Sequence, residues 1–366
     1  MSRVYLARAA GYERIEQALA AALTAFPGWA EPLAGKRVLV KPNLVLGRAP
    51  EKAATTHPTL VVAVARALRA AGAEVIVGDS PGGPMNPAAL ALAYQASGLK
   101  SAAQAEGFAL SYDCGLAETA YPQGRALRSL PLCAMAAGAD AIVNLGKLKT
   151  HGMMVYTGAV KNLYGLIHGT HKLDMHMRFV AQDAFADLLL DVHGWARPTL
   201  NIIDGVLAME GDGPTAGSPR PLGALIVSDD AHAADVVGAR LIGLTPDQVP
   251  TLRRAVAHGL VDPAAVQVLG EDPAALAAPD FRPATPGRGK FDTFKGLLRS
   301  RPAFDPARCV GCGQCARVCP AHALTLAERL PRLDRKKCIA CFCCHELCPH
   351  QAVDIRRPWV LRMLRG

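Results

Sequence analysis

Two cysteine runs carry the chemistry written most plainly in this chain: Cys309-x2-Cys312-x2-Cys315-x3-Cys319-Pro320 and Cys338-x2-Cys341-x2-Cys344-x3-Cys348-Pro349. The second repeats the first 29 residues later, and together they hold eight of the eleven cysteines. Three thiolates within seven residues let one tight loop wrap the corners of an inorganic cube, the ligand spacing of a [4Fe–4S] cluster. Where two such runs share a module, the fourth cysteine of each crosses to the other cube. The expected ligand sets are Cys309, Cys312, Cys315 and Cys348 for one cluster, and Cys338, Cys341, Cys344 and Cys319 for the other. Two [4Fe–4S] clusters would make the chain a carrier of single electrons. Structural zinc prefers two separated Cys-x-x-Cys pairs. A disulfide framework needs an oxidising compartment, and residues 1–30 show no signal peptide, so the cytoplasm is expected. Cys343 reads as a buried thiol beside a cluster, and Cys114 and Cys133 read as small core hydrophobes.

A second constellation lies upstream, where apolar runs end in polar residues. Val38–Val40 leads to Lys41 and Asn43, Val75–Val77 to Asp79, Ile142–Leu145 to Lys147, Lys149 and His151, and Asn201–Ile203 to Asp204. Ligands of open parallel sheets bind beyond the carboxyl ends of the strands. If the chain stays extended, Lys147, Lys149 and His151 share one face. Lys41, Asn43, Lys147, Lys161 and Asn162 are therefore expected to bind a small anionic substrate. Lys149, His151, Asp79 and Asp204 are the expected catalytic groups, with Lys149 also holding the anion and His151 and a carboxylate moving protons. His168, His171 and His176 follow without a metal-ligand spacing. The glycine-rich stretch Glu210–Gly217 could form an anion nest, yet matches no nucleotide fingerprint.

The elements that must position these residues alternate along the first 270 positions. Strands are expected at Arg3–Ala9, Arg37–Lys41, Glu74–Gly78, Asp140–Leu145, Thr199–Ile203 and Ala224–Ser228. Helices are expected at Glu13–Phe26, Pro58–Ala71, Pro87–Ser97, Gln182–Arg197 and His232–Ile242. Short apolar strands separated by helices predict an α/β fold, a layered and mostly parallel sheet. A short alternating strand after each cysteine run predicts a small α+β, ferredoxin-like 2[4Fe–4S] domain. The domain reading is 1–285 for the α/β part, 286–302 for a Pro, Gly and Arg-rich linker, and 303–366 for the cluster module with a short basic tail.

Charge divides along the same boundary. Residues 1–287 hold 24 Lys+Arg against 25 Asp+Glu, whereas residues 288–366 hold 16 against 6. Two oxidised cubes with their thiolates carry about −4 together, so part of the basic surplus offsets the module's own cargo. The remainder suits an acidic soluble electron carrier of the ferredoxin or flavodoxin type. No aromatic stacking platform accompanies the basic residues, which argues against nucleic acid. No apolar stretch is long enough to span a bilayer, and the tail after Arg356 reads as packing back onto the module rather than lying on a membrane.

Val40-Lys41-Pro42-Asn43, Thr56-His57-Pro58, Gly78-Asp79-Ser80, Lys147-x-Lys149-Thr150-His151, Thr157-Gly158-x-x-Lys161-Asn162 and Asp204-Gly205 with Gly213-Pro214 together resemble domain-of-unknown-function family 362. Members of that family often carry the same two-cluster tail, including the Cys341-Phe342-Cys343-Cys344 variant. The resemblance covers nearly the whole chain and implies an α/β front domain distantly similar to nickel-dependent lactate racemases. It supplies no catalytic roles. Two functions are expected from the residues: an iron–sulfur oxidoreductase acting on a small anion in the α/β domain, or an electron-transfer or scaffold subunit that serves a partner enzyme without turnover of its own.

Overall fold

A computed structural model describes residues 2–83, 85–284 and 301–356. Eleven strands build the front part: β1 (Arg3–Arg8), β2 (Arg37–Lys41), β3 (Glu74–Val77), β4 (Ala109–Leu110), β5 (Leu116–Ala120), β6 (Ser129–Cys133), β7 (Ala141–His151), β8 (Val155–Thr157), β9 (Leu200–Glu210), β10 (Ser218–Ser228) and β11 (Gln267–Gly270). Nine of them form one sheet in the order β11-β1-β10-β9-β7-β2-β3-β4, with β8 folded back on β7; β5 and β6 form a separate hairpin. Along that order only β10 opposes its neighbours. The carboxyl ends of β2, β3, β7 and β9 therefore share one edge.

The alternation of side chains in the central strands buries both faces. Val38, Val40, Val143, Leu145 and Ile202 pack on one side, where helices Ile15–Leu23, Pro58–Ala70, Pro87–Ala96 and Leu99–Glu106 lie. Leu39, Ile142, Leu148 and Ile203 pack on the other, against Ala159–Asn162, Gln182–Ala196, Ala231–Leu241 and Pro250–Ala257. Helix Pro58–Ala70 shows why the sequence signals succeed. Proline occupies its first turn, the His57 side chain accepts from the Thr59 N–H at 3.3 Å, and Leu60, Val61, Val64, Ala65 and Leu68 form its buried stripe.

Two expected strands end too early. Asp140–Leu145 continues to His151, and Thr199–Ile203 continues to Glu210, so Lys147, Lys149, His151 and Asp204 lie within strands rather than after them. Tertiary pairing supplies the reason. The β7 backbone finds partners on β8 and β9 through Lys149, with a bulge between Lys147 and Lys149 where the β9 register shifts.

The cysteine runs form a compact module with β12 (Arg301–Phe304) paired to β15 (Val353–Arg356) and β13 (Leu324–Ala327) paired to β14 (Leu330–Leu333). Arg301 and Pro302, expected in the linker, begin β12. The rest of that linker and the tail beyond Arg356 lie outside the described residues. The module is pinned across the sheet edge. Arg48 donates to the carbonyls of Cys348 and Pro349 at 2.9 and 3.0 Å, Thr215 donates to the Glu346 carbonyl at 2.9 Å, and Gln351 donates to the Thr215 carbonyl at 3.0 Å.

Candidate functional site

The two runs fold back on each other so that cysteines distant in sequence share cavities. Cys319, Cys338, Cys341 and Cys344 line one, and Cys309, Cys312, Cys315 and Cys348 line another. All eleven cysteines are free of disulfides. Each run takes the same backbone path. Gly311 and Gly313 have φ of 73° and 72°, and Ala340 and Phe342, 29 residues later, hold left-handed values of 53° and 61°. Residues with side chains tolerate that region poorly, so the loop geometry is imposed by the fold rather than by local preference. The Ala323 N–H points at Cys319 Sγ and the Ala352 N–H at Cys348 Sγ, both at 3.2 Å. Backbone donors of this kind stabilise thiolate charge. Four sulfurs around each cavity, with amide donors behind, fit an iron–sulfur cube.

The strand-end residues of the front domain fall into buried networks. Lys41 Nζ lies 2.7 Å from Asp79 Oδ1 and also donates to the Pro42 carbonyl, while the Leu44 N–H donates to Asp79 Oδ2. Gly165 crosses directly over this pair: a Cβ there would collide with Asp79 and stand 2.6 Å from Lys41 Nζ, so only glycine fits. Lys147 Nζ pairs with Asp204 Oδ2 at 2.8 Å, both side chains fully buried. Tyr12 closes that pair, accepting from Lys147 and donating to Asp204, each at 2.9 Å, with its ring stacked on His57 at 3.5 Å. Burial beside the Asp204 carboxylate drives the Tyr12 phenol far above its usual range, which keeps it a neutral donor.

Lys149 is different. Its ammonium donates to Asn43 Oδ1 and the Ala54 carbonyl, both at 2.8 Å, and has no carboxylate within ion-pair distance among the described residues. Burial pushes it well below the usual lysine range, with Lys161 and Lys147 pushing the same way. Asn162 ties the strands together: its amide donates to Asn144 Oδ1 at 2.8 Å and the Leu145 carbonyl at 3.1 Å, and its Oδ1 accepts from Asn43 at 2.8 Å. Lys161, the neighbouring residue, makes no hydrogen bond or ion pair among the described residues. Burial lowers it, and Glu346 from the cluster module opposes that shift.

These groups meet a third cavity, about 1090 Å³ with its mouth included, between the sheet edge and the module. Of the expected site residues, Asn43, Asp79, Lys149, Lys161 and Asn162 line it. Lys41, Lys147, His151 and Asp204 do not; the first, second and fourth are occupied in the ion pairs above. His151 sits behind the cavity, its Nδ1 accepting from the Met153 and Met154 N–H groups. Its Nε2 stands 3.3 Å from Glu346 Oε1 without hydrogen-bond alignment. Burial holds His151 well below its ordinary range, and Lys161 and Lys149 add to that.

Sequence reasoning missed most of the module's share of this wall. Gln314, Arg317 and Val318 from the first run, and Cys343, Glu346 and Leu347 from the second, face the front domain. Nothing in their spacing announces it, because the contact exists only after docking. Thr157, Ser80 and His176, named in the sequence without a site role, also line the cavity, and Lys172, which the sequence did not single out, has its ammonium 2.6 Å from both the carbonyl and the hydroxyl of Ser80. Burial lowers Lys172 to about 8 and His176 to about 3. His168, His171 and His176 form no metal-binding group among the described residues.

Residues 38–240 match the family model described as domain of unknown function DUF362, and residues 302–325 match a 4Fe-4S binding domain. The thylakoid-associated protein sll1697 of Synechocystis is 34% identical over 237 residues, which cover 62% of this chain and 69% of that protein. The chain belongs to the DUF362 family. This DUF362 protein also aligns with the lactate racemase apoprotein from Thermoanaerobacterium thermosaccharolyticum at 14% identity and a TM-score of 0.41, covering 66% of this chain and 57% of that one. The DUF362 protein binds iron–sulfur through its carboxyl-terminal region. No helix among the described residues is long and apolar enough to cross a membrane.

Proposed function

We propose that this DUF362 protein is a cytoplasmic iron–sulfur reductase that delivers electrons to a small anionic substrate bound between its sheet and its cluster module. Cys309, Cys312, Cys315 and Cys348 would hold one [4Fe–4S] cluster, and Cys338, Cys341, Cys344 and Cys319 the second. When bound, each cluster stores and releases one electron at a time. A soluble carrier of the ferredoxin or flavodoxin type would supply them, docking on the basic module.

One observation carries the reading. The helices Gln314–Arg317 and Cys343–Glu346, each inside a ligand run, form a wall of the same cavity that Lys149, Lys161 and Asn162 reach from the front domain. A substrate there lies against both electron-carrying loops and against ammonium groups that make no ion pair among the described residues. Lys149 and Lys161 bind and orient the anion, while Asn43 and Asn162 fix Lys149 and the strand spacing. Asp79 lines the cavity and His151 stands behind Glu346, both within the polar shell through which protons would reach the substrate. Lys41, Lys147 and Asp204 hold the strand ends rigid.

The test is anaerobic. Protein reduced with dithionite should reoxidise when given its substrate from a metabolite panel, followed by cluster absorbance. Lys149→Ala should lose that turnover by roughly 100-fold or more, as expected for a buried positioning charge, with both clusters retained. If no anionic metabolite reoxidises the clusters while an acidic carrier protein does, the chain is an electron-transfer subunit and the reductase reading is wrong.

A further inference from the structure

We infer that the cavity between sheet and module is built for an anion with a sizeable apolar body, its acidic head, a carboxylate or phosphate, held by Lys161 together with Thr157 and His176. The inference deepens the reductase reading and rests on it only for the fate of the electrons.

Charge comes first. The wall carries four basic side chains, Lys149, Lys161, Lys172 and Arg317, against two acidic ones, Asp79 and Glu346. Asp79 is already paired with Lys41 at 2.7 Å. Lys149 and Lys172 donate only to neutral oxygens, and Arg317 donates to Gln314 Oε1 at 3.1 Å. Lys161 makes no hydrogen bond or ion pair among the described residues, the Glu346 carboxylate acting on it only from beyond ion-pair distance. Lys149 is fully buried and Lys161 half-buried; an ammonium withdrawn from water is costly without a counter-charge, and an anionic head on the ligand supplies one.

Unsatisfied polar atoms locate that head. Thr157 Oγ1 and His176 Nδ1 are buried, line the cavity, and find no hydrogen-bond partner. Buried polar groups in folded proteins are nearly always partnered, so two orphans beside a free ammonium mark where ligand oxygens belong. Thr157 ends β8 and Lys161 follows it by four residues in helix Ala159–Asn162, so one short segment presents both. That segment is held from behind by Asp235, which accepts from the Ala159 and Val160 N–H groups at 2.6 and 3.0 Å.

Shape supplies the rest. Val45, Tyr164, Leu173, Pro214, Val318 and Leu347 line the same space. A bare inorganic anion would leave this apolar wall in contact with water. A ligand whose carbon skeleton covers it gains affinity from the apolar surface it removes from solvent.

Isothermal titration calorimetry on the anaerobic, cluster-loaded full chain tests this with acetate, inorganic phosphate, hexanoate, cinnamate, phenyl phosphate and cinnamamide. At least one of hexanoate, cinnamate and phenyl phosphate should bind tenfold or more tightly than acetate or inorganic phosphate, and cinnamate should exceed its neutral amide by a similar factor if the head is a carboxylate. Preference for phenyl phosphate would assign a phosphate head. Lys161→Gln should weaken the favoured probe at least tenfold with the cluster spectrum unchanged, and Lys161→Arg should restore most of it. Thr157→Val should weaken it severalfold. The inference is overturned if no apolar acid outbinds acetate and phosphate, or if Lys161→Gln leaves binding intact. Lys161-dependent probe binding, together with a metabolite panel that leaves the reduced clusters unoxidised while an acidic carrier protein reoxidises them, would uphold the ligand class and refute the reductase reading. Reoxidation by a metabolite that binds independently of Lys161 would do the reverse.

Discussion

The Lys147–Asp204 pair separates a structural role from a catalytic one. Both side chains are inaccessible to solvent, and four donors converge on the Asp204 carboxylate: Lys147 Nζ, the Tyr12 hydroxyl, and the N–H groups of His57 and Val206. Asp204→Ala leaves an ammonium buried without a counter-charge and a phenol and two amides without an acceptor. Breaking a buried pair by removing one partner costs ~3–5 kcal/mol, which lowers the folded-to-unfolded ratio by two to three and a half powers of ten. Replacing both partners, Lys147→Met with Asp204→Leu, removes the stranded charge and should recover more than half of that loss. Anaerobic urea denaturation in a Trp359→Phe background, followed by the fluorescence of Trp29 and Trp195, both in the front domain, reads the effect, and amide exchange along β9 reports it locally. An Asp204→Ala protein within about 1 kcal/mol of the parent, yet without turnover, would refute the structural assignment and make Asp204 a proton carrier.

Two further outcomes are expected. Cys344→Ser should lower iron from about eight to about four per chain and remove one of two low-temperature EPR signals, leaving the other in place. Loss of both signals, or of neither, would contradict two separable ligand sets. Anion binding should weaken as pH rises through about 8, because burial brings Lys172 down to that value and its deprotonation removes one positive charge from the cavity wall. Calorimetric titration with the favoured anionic probe from pH 6.5 to 9 checks the sign; affinity that climbs across that range would exclude a protonated Lys172 from the site.

Legibility followed the range of the interaction. The cysteine runs were readable because cluster ligation is local for three of four sulfurs, and duplication repeats the pattern. Helix Pro58–Ala70 was readable because proline, cap and apolar stripe all lie within its own sequence. The extension of β7 to His151 was not, since Lys147, Lys149 and His151 look like a polar terminus until β8 and β9 supply partners for their backbone. Strand-end ammonium groups that look alike in sequence part company in the fold. Lys41 and Lys147 are neutralised by Asp79 and Asp204, 38 and 57 residues away, whereas Lys149 is not.

Residue types and short spacings were enough to establish that iron–sulfur chemistry sits at the carboxyl end and that a layered α/β domain precedes it. Which ammonium groups lack an ion pair, and that they face the loops of both cysteine runs across one cavity, depended on docking the module against the sheet edge. Charge compensation and cavity walls are sums over residues hundreds of positions apart, and no local pattern encodes such a sum.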